Sequence, residues 1–163
     1  MLKSNLFEVV LGHSHAITIP NTIAKLFLSK DLKRVKVEAH HNDESISFHA
    51  ALTLKKNGLC VLTLSKAKQK SLGIFMNDHF SMQLFEDQTK YGVEMPEELE
   101  AVLLSDHEVY SIFESLTPGK QRSITYAILR YKSTQTRVDK ALIITENLKR
   151  GIMDQKLWLK SNP

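Results

Sequence analysis

Histidines and lysines carry most of the usable chemistry in this chain. Seven histidines are present; His13 and His15 stand two apart, and His40 and His41 are adjacent ahead of Asn42-Asp43-Glu44. Alternate strand positions face one way, so His13 and His15 could both reach one ion. A tetrahedral zinc site needs three or four converging ligands at recognisable spacings. None of the spacings here matches one, so no metal is expected, and His41, Asp43 and His49 read as exposed turn and strand residues. Gly-x-Ser-x-Gly elbows, phosphate loops and dinucleotide glycine patterns are also missing, so no catalytic residue and no cofactor are expected. The carboxylate groups Asp43-Glu44, Glu86-Asp87 and Glu97-Glu98-Glu100 fall in turns or at a helix start, where capping and solvation account for them.

Two basic clusters are stronger candidates. Thr134, Thr136 and Arg137 stand where a helix should begin, and free N–H groups and the helix dipole there favour an anion. Arg137 is one turn from Lys140, so Lys132, Thr136, Arg137 and Lys140 form a candidate set for a ligand or anion, with ion pairing inside a helical layer as the simpler account. Lys66, Lys68 and Lys70 line a short helical turn, and Lys25 occupies the comparable place in an earlier stretch. Two such turns could touch two stretches of phosphate backbone, which makes these four lysines a nucleic-acid candidate. One lysine in the first copy against three in the second argues instead for solvated surface.

The elements around these residues come in two related copies. Ala16-Ile-Thr-Ile-Pro20 followed by Asn21-Thr-Ile-Ala-Lys-Leu26 parallels Val61-Leu-Thr-Leu-Ser65 followed by Lys66–Gly73, with Thr18 matching Thr63 and Lys25 matching Lys70. Each copy reads as an alternating strand, a short helix and a second strand, Val35–Ala39 in one and His79–Leu84 in the other. A trailing segment closes each, Ser45–Phe48 in the first and Val93 to Leu99 in the second. Leu6–Leu11 supplies a further strand, and Lys55-Lys-Asn-Gly58 predicts a hairpin with positive φ at both Asn57 and Gly58.

From Pro96 the hydrophobic period lengthens to three and four. Pro96 to Leu104 starts with Pro-Glu-Glu, Ser105 with Glu108 matches a capping box, and Thr117-Pro118 opens a third helix with Ile124, Ile128 and Tyr131 on its apolar side. Ser133 or Thr134 caps a fourth, with Val138, Ala141, Leu142, Thr145 and Leu148 inward and a stop at Arg150-Gly151. Trp158 is expected as a packing anchor. The predicted fold is mainly β plus α: a double-split β-barrel of two internally duplicated halves over residues 1–95, then a layer of three to four helices over residues 96–163.

Length and charge restrict the function classes. A chain of 163 residues can bury a real core, and no apolar run reaches the roughly 20 residues of a membrane helix. Met1–Glu8 lacks a secretory leader pattern, and Cys60 alone forms no internal disulfide, so a reducing, cytoplasmic setting without membrane insertion is expected. The net charge of +4 sits wholly beyond residue 100, where 10 basic residues face 6 acidic ones. That permits anionic partners without demanding them.

Residues 5–95 resemble the DUF1905 family through Ile17-Thr-Ile-Pro20, Gly58, Leu62-Thr-Leu-Ser-Lys66, Leu72-Gly73-Ile74, Asp78 and Met95-Pro96, with Asn77 standing where Gly is usual. The C-terminal region resembles the YdeI or OmpD-associated family, with a proposed role in bacteriocin protection. It does so through Phe113-Glu-Ser-Leu116, Pro118, Gln121-Arg122, Ile128, Lys132 and Thr136-Arg137, and departs at Tyr131 and Ala127. The first resemblance implies a barrel of the AbrB and MazE fold class, here with both copies fused into an internally twofold monomer. Three functions follow as expectations. The leading one is a non-enzymatic binding or stress- and bacteriocin-protection protein, its partner a small ligand or a protein and its site a groove between barrel and helices. The second is a DNA-binding regulator using Lys25, Lys66, Lys68 and Lys70. The third is an enzyme on a small anionic substrate held by Lys132 and Arg137, with His107 or another histidine as base.

Overall fold

The structure, a computed structural model, describes residues 1–160. Contacts divide the chain into a unit of Met1–Gln88 and a second unit from Thr89 onward.

Alternating apolar residues give the first unit its strands: β1 (Phe7–Val10), β2 (Ala16–Ile19), β3 (Arg34–His41), β4 (Glu44–Ala51), β5 (Thr53–Leu54), β6 (Cys60–Thr63) and β7 (His79–Glu86). Two helices interrupt them, α1 (Asn21–Leu28) and α2 (Lys66–Leu72). The strands pair as two antiparallel sheets, β1-β7-β3-β4 and β2-β6-β5, and among the described residues no ladder joins these into a closed barrel. Val35, Val37 and Ala39 of β3 and Phe80, Met82 and Leu84 of β7 point into one core, which Ile17, Ile19 and Leu62 enter from the second sheet, Leu64 from just past β6, and Phe27 and Leu72 from the helices. Cys60 is buried in that core, and burial pushes its thiol pKa up.

Strand register accommodates the 45-residue offset read in the sequence. Ile17 faces Leu62 in the β2–β6 ladder and Glu38 faces Gln83 in the β3–β7 ladder, and in both pairs the partners lie 45 positions apart. Pairs at this separation in both ladders are what two copies related by a twofold would require. The same offset matches Thr18 with Thr63, Lys25 with Lys70, and Phe27 with Leu72, both fully buried. The extent of each copy differs from the sequence expectation. Sheet order β1-β7-β3-β4 reads alike from either edge, with Phe7 opposite Met82 as Phe48 is opposite Val37. Each copy is therefore strand, strand, helix, strand: β1–β2–α1–β3 and β4–β6–α2–β7. Ser45–Phe48 opens the second copy instead of closing the first, and Val93–Leu99 belongs to neither.

Caps fix the helix ends. Ser65 Oγ accepts the Lys68 N–H at the start of α2, and Gly73 at φ 72° closes it through its own N–H. In the Lys55–Gly58 turn only Gly58 has positive φ, 85°. Gly58 N–H donates to Lys55 O and Lys55 N–H to Leu59 O, so one left-handed glycine after an ordinary turn suffices where two were expected.

The second unit contains α3 (Glu97–Leu104), α4 (His107–Ser115), α5 (Pro118–Leu129) and α6 (Thr134–Lys149), followed by a 3₁₀ turn over Gln155–Leu157. Leu99, Leu103, Val109, Phe113, Ile124, Ile128, Ala141, Ile144, Leu148 and Trp158 build its core. Trp158 Nε1–H donates to Ile152 O at 3.0 Å, and Asn147 Nδ2 donates to the Trp158 backbone carbonyl at 2.8 Å, so the residue is tied once through its ring and once through its main chain. Two details differ from expectation. Ser105 closes α3 by donating its hydroxyl to Val102 O, while Asp106 caps α4 by accepting the Glu108 and Val109 N–H groups, since a carboxylate is the stronger acceptor. On α6 the inward face is Ala141, Ile144, Thr145 and Leu148, with Leu142 exposed. No helix among the described residues is long and apolar enough to cross a membrane.

Candidate functional site

A cleft of about 510 Å³ opens in the second unit, lined among others by Lys90, Tyr91, Met95, Glu100, Leu104 and Tyr110. Helical geometry explains its walls. Leu103 turns into the core, so Leu104, the next residue around α3, faces outward and is 68% exposed. Tyr110 comes from α4, and the segment before α3 supplies Lys90, Tyr91 and Met95.

One corner of the cleft is a polar network. Tyr110 and Glu114 lie four apart on α4 and therefore on one face. Lys90 Nζ donates to Glu114 Oε1 at 2.9 Å and to Tyr110 Oη at 3.1 Å, while the Tyr91 hydroxyl donates to the same Glu114 oxygen. The ammonium also stands 5.1 Å from the centroid of the Tyr91 ring and 5.6 Å from that of Tyr110, within cation–π range. Tyr91 is held in turn by an edge-on contact with Phe113, centroids 5.3 Å apart at 79°. The charges are mutually reinforcing. Hydrogen bonds from Tyr91 and Lys90 hold the Glu114 carboxyl below its ordinary value, and the bond to Glu114 raises Lys90 above the usual lysine range. Burial, then the bond to Glu114, pushes the Tyr91 phenol up to about 12. Chemically the corner is a receptacle for one ammonium, with two aromatic rings and a carboxylate converging on it.

The residues singled out in sequence lie elsewhere. Lys132 is exposed just ahead of α6, and the Thr136 N–H is taken by the Ser133 cap. Arg137 Nε donates to Tyr131 O at 2.6 Å and Nη2 to Leu129 O at 3.3 Å, closing carbonyls at the end of α5, and Nη1 stands 3.6 Å from Glu98 Oε1. Lys140 Nζ lies 5.7 Å from the Tyr131 ring centroid. In the first unit Lys25, Lys66 and Lys70 are exposed, with Lys25 and Lys70 in the last turns of their helices. Lys68 instead rests its ammonium 4.8 Å from the Phe48 ring centroid, and burial lowers its pKa. Three histidines take separate partners: His15 Nδ1 lies 3.0 Å from Gln69 Nε2, His49 Nδ1 3.5 Å from Asp87, and His79 Nδ1 3.2 Å from Glu8. Exposed His107 opens α4. Among the described residues no three histidine, cysteine or acidic side chains gather as a metal site would require. The Lys90–Tyr91–Tyr110–Glu114 network went unread in the sequence. Its only local signal is the four-residue spacing of Tyr110 and Glu114; Lys90 and Tyr91 reach them through the fold.

Of the comparisons with known proteins, the family match falls in this second unit. No curated protein matches the chain. Among solved structures, the solution structure of PHS018 from Pyrococcus horikoshii aligns over 52% of this chain and 95% of its own at 15% identity and a TM-score of 0.40. Residues 92–151, which include α3 to α6 and most of the cleft lining, match the family model described as "Bacteriocin-protection, YdeI or OmpD-Associated".

Proposed function

We propose that this is a non-enzymatic binding protein of the bacteriocin-protection kind and that its ligand site is the cleft of the second unit. The observation that carries this reading is the cleft itself: about 510 Å³, apolar along Met95 and Leu104, with a polar corner, and built largely from the matched segment. That size and that mixture of apolar wall with a few placed polar groups are usual for small-ligand pockets. The first unit supports the reading as a scaffold. Its 45-residue internal twofold is what a double-split barrel of the DUF1905 kind would have, with β1 and β4 in equivalent places.

Calorimetric titration with hexanol, hexylammonium and hexanoate tests the cleft. At least one of the three should bind saturably, and Leu104→Asn, a change at an exposed cleft wall, should weaken it about threefold or more. Three probes without saturable binding, or binding indifferent to Leu104→Asn, would overturn the reading.

A second reading rests on the equivalence of Lys25 and Lys70. Two exposed lysines related by the internal twofold, with Lys66 beside one of them, offer a repeated basic feature to a nucleic-acid backbone. It requires duplex binding that falls steeply with salt.

A further inference from the structure

We infer that Tyr91, Tyr110 and Glu114 form a cation cage for the primary ammonium of a ligand bearing an apolar stem, and that the chain's own Lys90 occupies this cage as an internal competitor. The inference deepens the proposed cleft function and rests on it. Three observations carry it. First, the cage is built independently of its occupant: Tyr110 and Glu114 are fixed on one face of α4, and Tyr91 is braced by Phe113 and by its bond to Glu114. Second, the occupant is loosely held by the rest of the protein. The Lys90 side chain is 60% exposed and lies before α3 in no helix or strand, so it can leave without disturbing the core. Third, the cage opens on the cleft, because Lys90, Tyr91 and Tyr110 line both. An ammonium replacing that of Lys90 would extend its stem along Met95 and Leu104, and Glu100 adds a further carboxylate to the rim.

The chemistry selects its ligand. Aromatic faces and a carboxylate favour a cation and reject an anion, and a primary ammonium can donate to Glu114 Oε1 and Tyr110 Oη as Lys90 does. An alkylamine and a lysine side chain flanked by apolar residues in a peptide share this chemistry. Internal competition lowers the apparent affinity by the fraction of molecules in which Lys90 fills the cage.

The test is calorimetry on the full chain and on Lys90→Ala and Glu114→Gln, with hexylammonium, a blocked leucine–lysine–leucine peptide and hexanol as probes. Lys90→Ala should bind the ammonium probes about fivefold more tightly or better, because the competitor is gone. Glu114→Gln, which keeps the shape, should bind them about tenfold more weakly, and hexanol should respond to neither change. The tighter of the two ammonium probes identifies the source, free amine or peptide. Unchanged or weakened ammonium binding in Lys90→Ala overturns the cage, and if hexanol still binds in a Leu104-dependent way the cleft reading survives. Failure of all three probes removes both.

Discussion

At the scale of single residues, what a side chain touches decided more than what it is. Arg137 has the type and position of an anion ligand at a helix start, yet its guanidinium spans the carbonyls of Leu129 and Tyr131 and faces Glu98. Those carbonyls come from the end of the preceding helix, and no local pattern announces that one residue will close another helix's end. Tyr91 shows the reverse. Unmarked in sequence, it becomes distinctive once Phe113 and Glu114 surround it. Its phenol at about 12, raised by burial first and by Glu114 second, gives a titration that can be followed by phenolate absorbance. Tyr91 should give a late phenolate step near 12, and Tyr91→Phe should remove it. The sign for stability follows from the folded state holding this proton more tightly. The contribution is fully present below the unfolded value near 10 and is lost as pH rises toward 12. A phenolate titration that Tyr91→Phe leaves unchanged near 12 would contradict the network.

At the scale of elements, the sequence was legible where a local rule acts alone. Helix α2 between Ser65 and Gly73, the Thr117-Pro118 start of α5 and the buried alternation of β3 follow from capping and period, and all stand as read. Errors arose where two local rules competed. Ser105 and Asp106 both qualify as caps for α4, and the carboxylate prevails while the serine hydroxyl turns back to Val102. On α6, Leu142 and Ile144 fit the helical period almost equally well, and packing buries the second. Glycine roles separate in the same way. Gly73 holds φ 72° with open space around it, so Gly73→Ala should cost about 1 kcal/mol through backbone strain alone. Gly12 has equal space and no positive φ, so Gly12→Ala should change stability by less than about 0.5 kcal/mol. Urea denaturation of the two variants checks this; equal losses would show that something other than φ is at work.

At the scale of the whole chain, the recurring strand–helix–strand pattern was readable and the pairing of its strands was not. Equivalent residues such as Lys25 and Lys70 share an offset that survives in sequence, but the strand opening each copy is only visible from pairing. Phe7 and Phe48 hold equivalent places in the sheet at an offset of 41 positions, so the connection to the next strand is four residues longer in the second copy and a fixed-offset comparison misses it. The central claim is that ligand binding belongs to the second unit and not to the lysines of the first. The most direct test is an amide chemical-shift map of the isotope-labelled full chain, titrated separately with hexylammonium and with mixed-sequence duplex DNA at physiological salt. The account predicts saturable shifts with hexylammonium at residues 89–114 and none with DNA around Lys25, Lys66, Lys68 and Lys70. Shifts with DNA at those four lysines, and an unmoved cleft with the amine, would contradict it and place function in the duplicated sheets.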